Sequence, residues 1–185
     1  MSRILLIVLA SLAPSLAFGH GGHVETGAFA AGFGHPLGGA DHLLAMVAVG
    51  LWAGLSGGRA VWALPVTFVT AMLAGAMLGT LGVGLPAVEH TIIASVIVIG
   101  AVAALQVRVA LPVSAALIAL FGMAHGHAHG TEGPAFGFAM YVAGFALATA
   151  ALHAAGVMLA RATLAPISRG FCALTAAGGA ALAFM

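Results

Sequence analysis

Long apolar stretches with very few charges constrain this chain more than any other feature of its sequence. Of its 185 residues, 63% are hydrophobic and 5% are charged, whereas soluble domains carry roughly 25% charged residues. Lipid is therefore the expected surroundings of most of the chain, and the sequence predicts an all-α integral membrane protein. Its formal net charge of +1 leaves no basic surface for DNA or RNA, which excludes nucleic acid as a partner.

The first residues have the pattern of a secretory signal. Ser2 and Arg3 give a short positive start, residues 4–13 are apolar, and residues 14–19 end in small side chains. About ten apolar residues are too few for a membrane span, which needs roughly 20. We therefore expect residues 1–19 to be a signal peptide, cleaved after Ala17 or after Gly19, so that the mature chain begins near His20.

Six apolar runs follow the signal and predict six transmembrane helices. Their ranges are 31–55, 60–82, 87–105, 109–128, 135–160 and 166–185. Arg59, Arg108, Arg161 and Arg169 lie in or beside the connections after the first, third and fifth runs. Because an excess of arginine marks cytoplasmic loops, both the N-terminus and the C-terminus are expected outside. Residues 20–185 then form a single transmembrane domain.

Histidine is the residue type that a lipid environment does not explain. The chain has nine histidines, and ionisable groups inside a membrane are costly and mark functional pathways. The first set is His35, Asp41 and His42. On a continuous helix His35 and His42 are separated by about 10.5 Å of rise, too far for two imidazoles to hold one ion at about 2.1 Å each.

A break in the helix would bring this first set together. Pro36 and the pair Gly38-Gly39 lie between the two histidines and favour a break that folds His35 back toward Asp41 and His42. The alternative is a helix N-terminus that Asp41 caps, with histidines that only find hydrogen bonds.

The second set ends the fourth apolar run. His125 and His129 are four residues apart and Glu132 follows three residues later, so a continuous helix places all three on one face. Imidazole and carboxylate ligands suit nickel, cobalt, zinc or copper better than magnesium or calcium. His127 points away from His125 on such a helix, and its loss is expected to be mild. The alternative here is a solvated histidine-rich loop that scavenges metal without specificity.

The predicted topology places both sets at the outer ends of their helices. Opposing helix faces at one depth could then surround a divalent cation with nitrogen and oxygen ligands and no thiolate. The general preference order favours nickel and copper over cobalt and iron, so the residues alone leave the identity of the ion open.

Both sets resemble the signature motifs of the HupE/UreJ family of nickel/cobalt permeases. The first-helix motif H-x5-D-H, with a proline after the first histidine, is matched by His35, Pro36, Asp41 and His42. The fourth-helix motif F-H-G-x-A-H-G-x-E is matched from His125 to Glu132, with Ala124 in place of the phenylalanine. The resemblance extends over the whole chain, since the signal, the histidine-rich mature start and the six spans also agree.

The resemblance implies uptake of nickel, or less often cobalt, across the inner membrane of a bacterium to supply hydrogenase or urease maturation. The ion is then cargo, and no catalytic cofactor is expected. The implied metal ligands are His35, Asp41, His42, His125, His129 and Glu132, and His20 and His23 would capture metal outside the membrane.

Two other functions compete with transport. One is an intramembrane hydrolase with histidine-bound zinc, which would need an open metal position and a base such as Asp41 or Glu132. The other is a receptor that binds metal without moving it. Of the remaining histidines, His153 is either a relay toward the cytoplasm or a packing residue, while Glu89 and His90 are explained by their place at a helix N-terminus.

Overall fold

Helices are the regular elements of residues 24–184, which are the part of the chain that the computed structural model describes. The seven helices of these residues are α1 (Val24–Gly38), α2 (Ala40–Ser56), α3 (Ala60–Thr80), α4 (Val88–Ala104), α5 (Leu111–Glu132), α6 (Phe138–Ala162) and α7 (Ala165–Leu182). The predicted all-α class is therefore confirmed for this part of the chain. The predicted signal peptide, and His20 and His23 after it, lie outside the described residues.

Some of the helices are long and apolar enough to cross a membrane, and others are shorter. Three are long and apolar enough to cross a membrane, namely α3, α5 and α6, and α1 with α2 passes the same test as one bent pair. Helix α4 is apolar but shorter, with 17 residues. Three or four candidate spans fit a multi-pass membrane protein, while the count of six and the outside termini remain predictions.

The predicted first span is two helices rather than one. Helices α1 and α2 meet at Gly39 with an angle of 82° between them, which confirms the break that Pro36 and Gly38-Gly39 indicated. Helix α1 crosses the N-terminal half of α6, where Gly32 lies against the backbone of Tyr141. Helix α2 then runs beside the rest of α6, since Gly50 lies against the backbone of His153.

Glycines on α5 let helix α3 approach closely. A Cβ atom added at Gly126 or Gly130 would collide with the carbonyl oxygens of Met72 or Ala76 on α3. Small residues allow helix backbones to meet in this way inside a membrane. In the motif A-H-G-x-A-H-G the glycines therefore pack against α3, and the adjacent histidines His125 and His129 lie on another side of α5.

The arginines collect at the opposite end of the bundle from this motif. Arg59 and Arg108 lie in the α2–α3 and α4–α5 connections, which share one cavity of about 220 Å³ and meet a second one at Ser56. Arg169, in the first turns of α7, donates a hydrogen bond from Nε to the carbonyl oxygen of Ala104 at 2.7 Å. Arginine-rich connections and the histidine motifs thus occupy different ends of the helices.

Candidate metal centre

Two histidines from distant parts of the chain meet at the start of α2 and the end of α5. The Nε2 atoms of His42 and His129 are 2.8 Å apart, and both side chains are buried. The bend at Gly39 brings His35 to the same place, with its ring centroid 4.6 Å from that of His129 and 6.0 Å from that of His42. His125 completes the group, with its ring 4.8 Å from that of His42. We call these four residues the histidine cluster.

Asp41 orients His42 within the cluster. Its Oδ1 atom accepts hydrogen bonds from the Nδ1 atom of His42 at 3.0 Å and from the backbone N–H of His42 at 2.9 Å. The Nε2 atom of His42 then carries the lone pair of the ring, as in the carboxylate–histidine–metal arrangement of many metal sites. The place of Asp41 in the first apolar run predicts a buried carboxylate, but its side chain is 31% exposed.

Gly39 leaves the room that this pair needs. Its backbone is extended, with φ −106° and ψ 122°, which any residue can adopt. A Cβ atom at position 39 would nevertheless lie 2.9 Å from Oδ1 of Asp41 and 3.3 Å from Nδ1 of His42. A larger residue would therefore push the carboxylate and the imidazole apart.

Hydrogen bonds fix which nitrogen of His125 and His129 is free. The hydroxyl of Ser95 donates to the carbonyl oxygen of Ile92 at 2.6 Å, so it accepts from Nε2 of His125 at 2.9 Å. His129 donates from Nε2 to His42. A neutral imidazole has one donor and one acceptor nitrogen, and the Nδ1 atoms of both residues are buried without a hydrogen-bond partner among the described residues. Each therefore offers a lone pair.

Aromatic side chains cover the buried part of the cluster. The ring of Phe145 lies 4.1 Å from that of His129, and the ring of Tyr141 lies 6.0 Å from that of His35. Phe68 covers His125 at 5.5 Å. Low-dielectric walls of this kind strengthen the interaction of a cation with the nitrogen lone pairs.

The side chains are gathered but are not yet at coordination distances. Within residues 24–184 no group of three or more His, Cys, Asp or Glu side chains is already spaced to hold a metal ion. Two nitrogens that share an ion at about 2.1 Å each are about 3.0–3.4 Å apart, slightly more than the 2.8 Å between His42 and His129. Binding would replace the hydrogen bond between these rings and require small side-chain movements.

Other residues singled out in the sequence lie apart from the cluster. Glu132 is exposed at the end of α5, and its side chain makes no hydrogen bond to the described residues. His127 is buried, and its Nε2 donates to the carbonyl oxygen of Val83 at 2.7 Å, which ties the α3–α4 connection to α5. Glu89 and His90 are exposed in the first turn of α4, as expected of residues at a helix N-terminus.

Ser95 and Phe145 were missed by sequence reasoning. Ser95 is a small polar residue in the middle of the apolar helix α4, and polar residues at membrane depth are a signal for an interhelical hydrogen bond. That signal is available in the sequence, but the partner is not. Phe145 is one of ten phenylalanines, and nothing in its neighbourhood distinguishes it.

The fold and the cluster together define a class of protein. Several helices able to cross a membrane surround buried imidazoles from two distant motifs, which defines a multi-pass membrane protein with a buried polar site between its helices. The model of the "HupE / UreJ protein" family matches residues 7–185. The chain therefore belongs to the HupE/UreJ family, as its two motifs indicated.

A curated relative supports the same assignment. The chain is 44% identical over 160 residues to "Protein HupE" of Rhizobium leguminosarum bv. viciae, which covers 86% of this chain and 83% of that protein. No solved structure matches the chain significantly. The family is a transporter family and not an enzyme class, so the zinc hydrolase reading is set aside.

Proposed function

We propose that the chain takes up nickel, with cobalt as the second candidate, across the inner membrane of a bacterium. The observation that carries this proposal is the 2.8 Å contact between His42 and His129, two residues 87 positions apart. Buried imidazoles are costly in a membrane unless they serve a ligand or a proton. Three neighbouring neutral imidazoles suit a late first-row divalent cation.

The proposed ligands are of two kinds, buried residues that would bind the ion and exposed residues that would collect it. His42 and His129 would bind through the Nε2 atoms that now share a hydrogen bond, His129 after its ring proton moves to Nδ1, and His125 would bind through Nδ1. His35 would join from the exposed side of the cluster. Asp41 would act by orienting His42, and Glu132, with the external histidines His20 and His23, would collect the hydrated ion. The orientation proposed is that of a six-span domain, residues 20–185, with both termini outside after removal of residues 1–19.

The cell would use the metal for hydrogenase or urease maturation. This part of the proposal rests on the family to which the chain belongs. An arrangement that binds metal without moving it is the remaining competitor, because the histidine cluster alone would serve a receptor equally well.

Uptake of radioactive nickel by proteoliposomes tests the proposal. We expect wild-type protein to transport nickel, and His42→Ala and His129→Ala each to lower the initial rate by about a hundredfold or more, since loss of even a residue that only orients a metal ligand costs about 10–100-fold. His90→Ala, which removes an exposed histidine, is the matched control and should transport normally. Size-exclusion profiles must show that all variants remain folded.

The possible outcomes separate the alternatives. Tight nickel binding without flux in wild-type protein would support a receptor. Wild-type rates in His42→Ala or His129→Ala would show that the metal centre lies elsewhere.

A further inference from the structure

His153 on α6 is a buried histidine that the proposed metal centre does not use. Its side chain is 1% exposed, and neither Nδ1 nor Nε2 has a hydrogen-bond partner among the described residues. An imidazole always presents one lone pair and one N–H. A residue kept only for packing would leave both polar atoms unsatisfied in an apolar interior, which is unfavourable.

The depth of His153 relative to the histidine cluster can be measured along two helices, α6 and α2. On α6, Phe145 contacts His129 of the cluster, and His153 follows eight residues later, or about 12 Å along the helix. On α2, Gly50 lies against the backbone of His153 and follows His42 by the same eight residues, again about 12 Å. Both measures place His153 about two turns closer than the cluster to the arginine-rich end of the bundle.

The space between the two levels holds groups that can interact with a soft cation. The ring of Phe68 lies 5.5 Å from that of His125 and 5.1 Å from that of His153, so one side chain contacts both levels. Met72 lies one turn from Phe68 on α3, on the side of the histidine cluster, and its Sδ accepts a hydrogen bond from Thr149 at 3.8 Å. Thr149 lies one turn before His153 on the same face of α6. Thioether sulfur is a soft ligand for late transition metals.

The other end of the bundle is close to His153. Helix α2 ends at Ser56, six residues after Gly50, or about 9 Å further along. Ser56 borders a cavity of about 350 Å³ whose other walls include Gln106 and Arg108. His153 therefore lies between the histidine cluster and a polar cavity at the arginine-rich end.

We propose that His153 is an inner binding site for the transported cation, which occupies it after leaving the histidine cluster, with the thioether of Met72 as a donor between the two levels. This inference rests on the proposed function. An imidazole at this depth divides the path of the ion through the apolar interior into two shorter steps. Because it is one imidazole rather than several, it binds the ion more weakly than the histidine cluster does and can release it. Binding at several weaker sites is what rapid conduction requires.

Two substitutions of similar volume test the inner site. Leucine and methionine both fill the space of His153 without a hydrogen-bonding group, but only methionine offers a metal ligand. For His153→Leu in proteoliposomes, we expect nickel uptake to fall about tenfold or more, while nickel affinity measured by calorimetry on detergent-solubilised protein stays within about twofold. His153→Met should transport measurably faster than His153→Leu, and His90→Leu should match wild type.

The uptake rates of the two His153 variants decide between a metal ligand and a packing residue. If His153→Leu and His153→Met transport equally and at the wild-type rate, the inner site is wrong while the proposed function stands. Equal but reduced rates in both would mean that His153 acts by packing or hydrogen bonding alone, which also overturns it. No uptake by wild-type protein overturns the proposed function and the inner site with it.

If the His153 variants do not fold, a measurement on wild-type protein still tests the inner site. Nickel X-ray absorption of wild-type protein with one and then two equivalents of nickel reports the ligands of each ion. We expect the second equivalent to add sulfur scattering and imidazole scattering. A second equivalent with water oxygen alone would contradict the inner site.

Discussion

The imidazole of His42 shows how neighbouring groups can determine which ring nitrogen of a single residue is available. Its Nδ1 donates to Asp41, and its Nε2 contacts His129, so the lone pair that could bind a cation faces the other helix. The same division holds for His125, where Ser95 takes up one nitrogen and leaves the other free. His127 differs because the carbonyl oxygen of Val83 accepts its N–H, and it therefore serves the α3–α4 connection.

The role of Asp41 is testable at this scale. Asp41→Asn keeps a side-chain oxygen that can accept from Nδ1 of His42 but removes the negative charge that makes the imidazole a stronger ligand. We expect nickel affinity to fall about tenfold and Asp41→Ala to lower it further, toward a hundredfold. Calorimetric titration of purified protein measures both.

The outcome distinguishes orientation from direct ligation. If Asp41 binds the ion itself, the asparagine and alanine variants should lose affinity equally, since both lack the carboxylate. An unchanged affinity in both would remove Asp41 from the metal centre.

At the scale of helices, close approach depends on small residues. Gly126 and Gly130 let α5 contact the backbone of α3, and this contact fixes the rotation of α5 that directs His125 and His129 toward α2. The bend at Gly39 has the corresponding effect on α1, since a straight helix would keep His35 away from His42. The helices thus position the cluster through backbone contacts rather than through specific polar pairs.

Gly126→Ala tests this dependence on backbone contact. The added Cβ would collide with the carbonyl oxygen of Met72, and overpacking of this kind costs about 1–3 kcal/mol. We expect a lower unfolding temperature and a loss of nickel uptake. Thermal unfolding followed by circular dichroism, together with proteoliposome uptake, measures the two effects.

Gly170→Ala is the matched control. Gly170 lies inside α7, and a Cβ there would meet nothing within 4 Å. Alanine is favoured over glycine in a helix interior by about 0.5–1 kcal/mol, so this variant should be as stable as wild type or slightly more stable. An equal effect of both substitutions would show that α3–α5 contact does not decide the outcome.

At the scale of the whole molecule, the bundle separates two kinds of polar residue. The histidine cluster lies at one end, and the connections with Arg59 and Arg108 lie at the other. This arrangement agrees with arginine inside and the metal centre outside. The inner site proposed at His153 lies between them, about two helical turns from the cluster.

Membrane-impermeant maleimide tests the orientation. Cys172 is the chain's single cysteine, so Cys172→Ala provides a background without thiols. In intact cells treated to open the outer membrane, we expect Pro134→Cys to be labelled and Arg108→Cys to be labelled only after the inner membrane is broken. The reverse labelling would invert the proposed topology and put the histidine cluster on the cytoplasmic side.

Properties set within one helix or by composition could be predicted from the sequence alone. The scarcity of charge predicted an all-α membrane protein, the spacing of His125 and His129 placed them on one face, and Pro36 with two glycines predicted the break before Asp41. Each depends on lipid solvation or on the local geometry of 3.6 residues per turn. The sequence also shows the alternation of glycine and histidine on α5, but it does not show that the glycines pack against α3.

The tertiary structure decided everything that depends on contacts between helices. It determined that Ser95 holds one nitrogen of His125, that His127 turns to Val83, and that His153 is buried without a partner. These facts depend on the rotation and relative depth of helices far apart in the chain. Close packing of backbones at glycines sets both, and no pattern within a single helix specifies which neighbour it will meet.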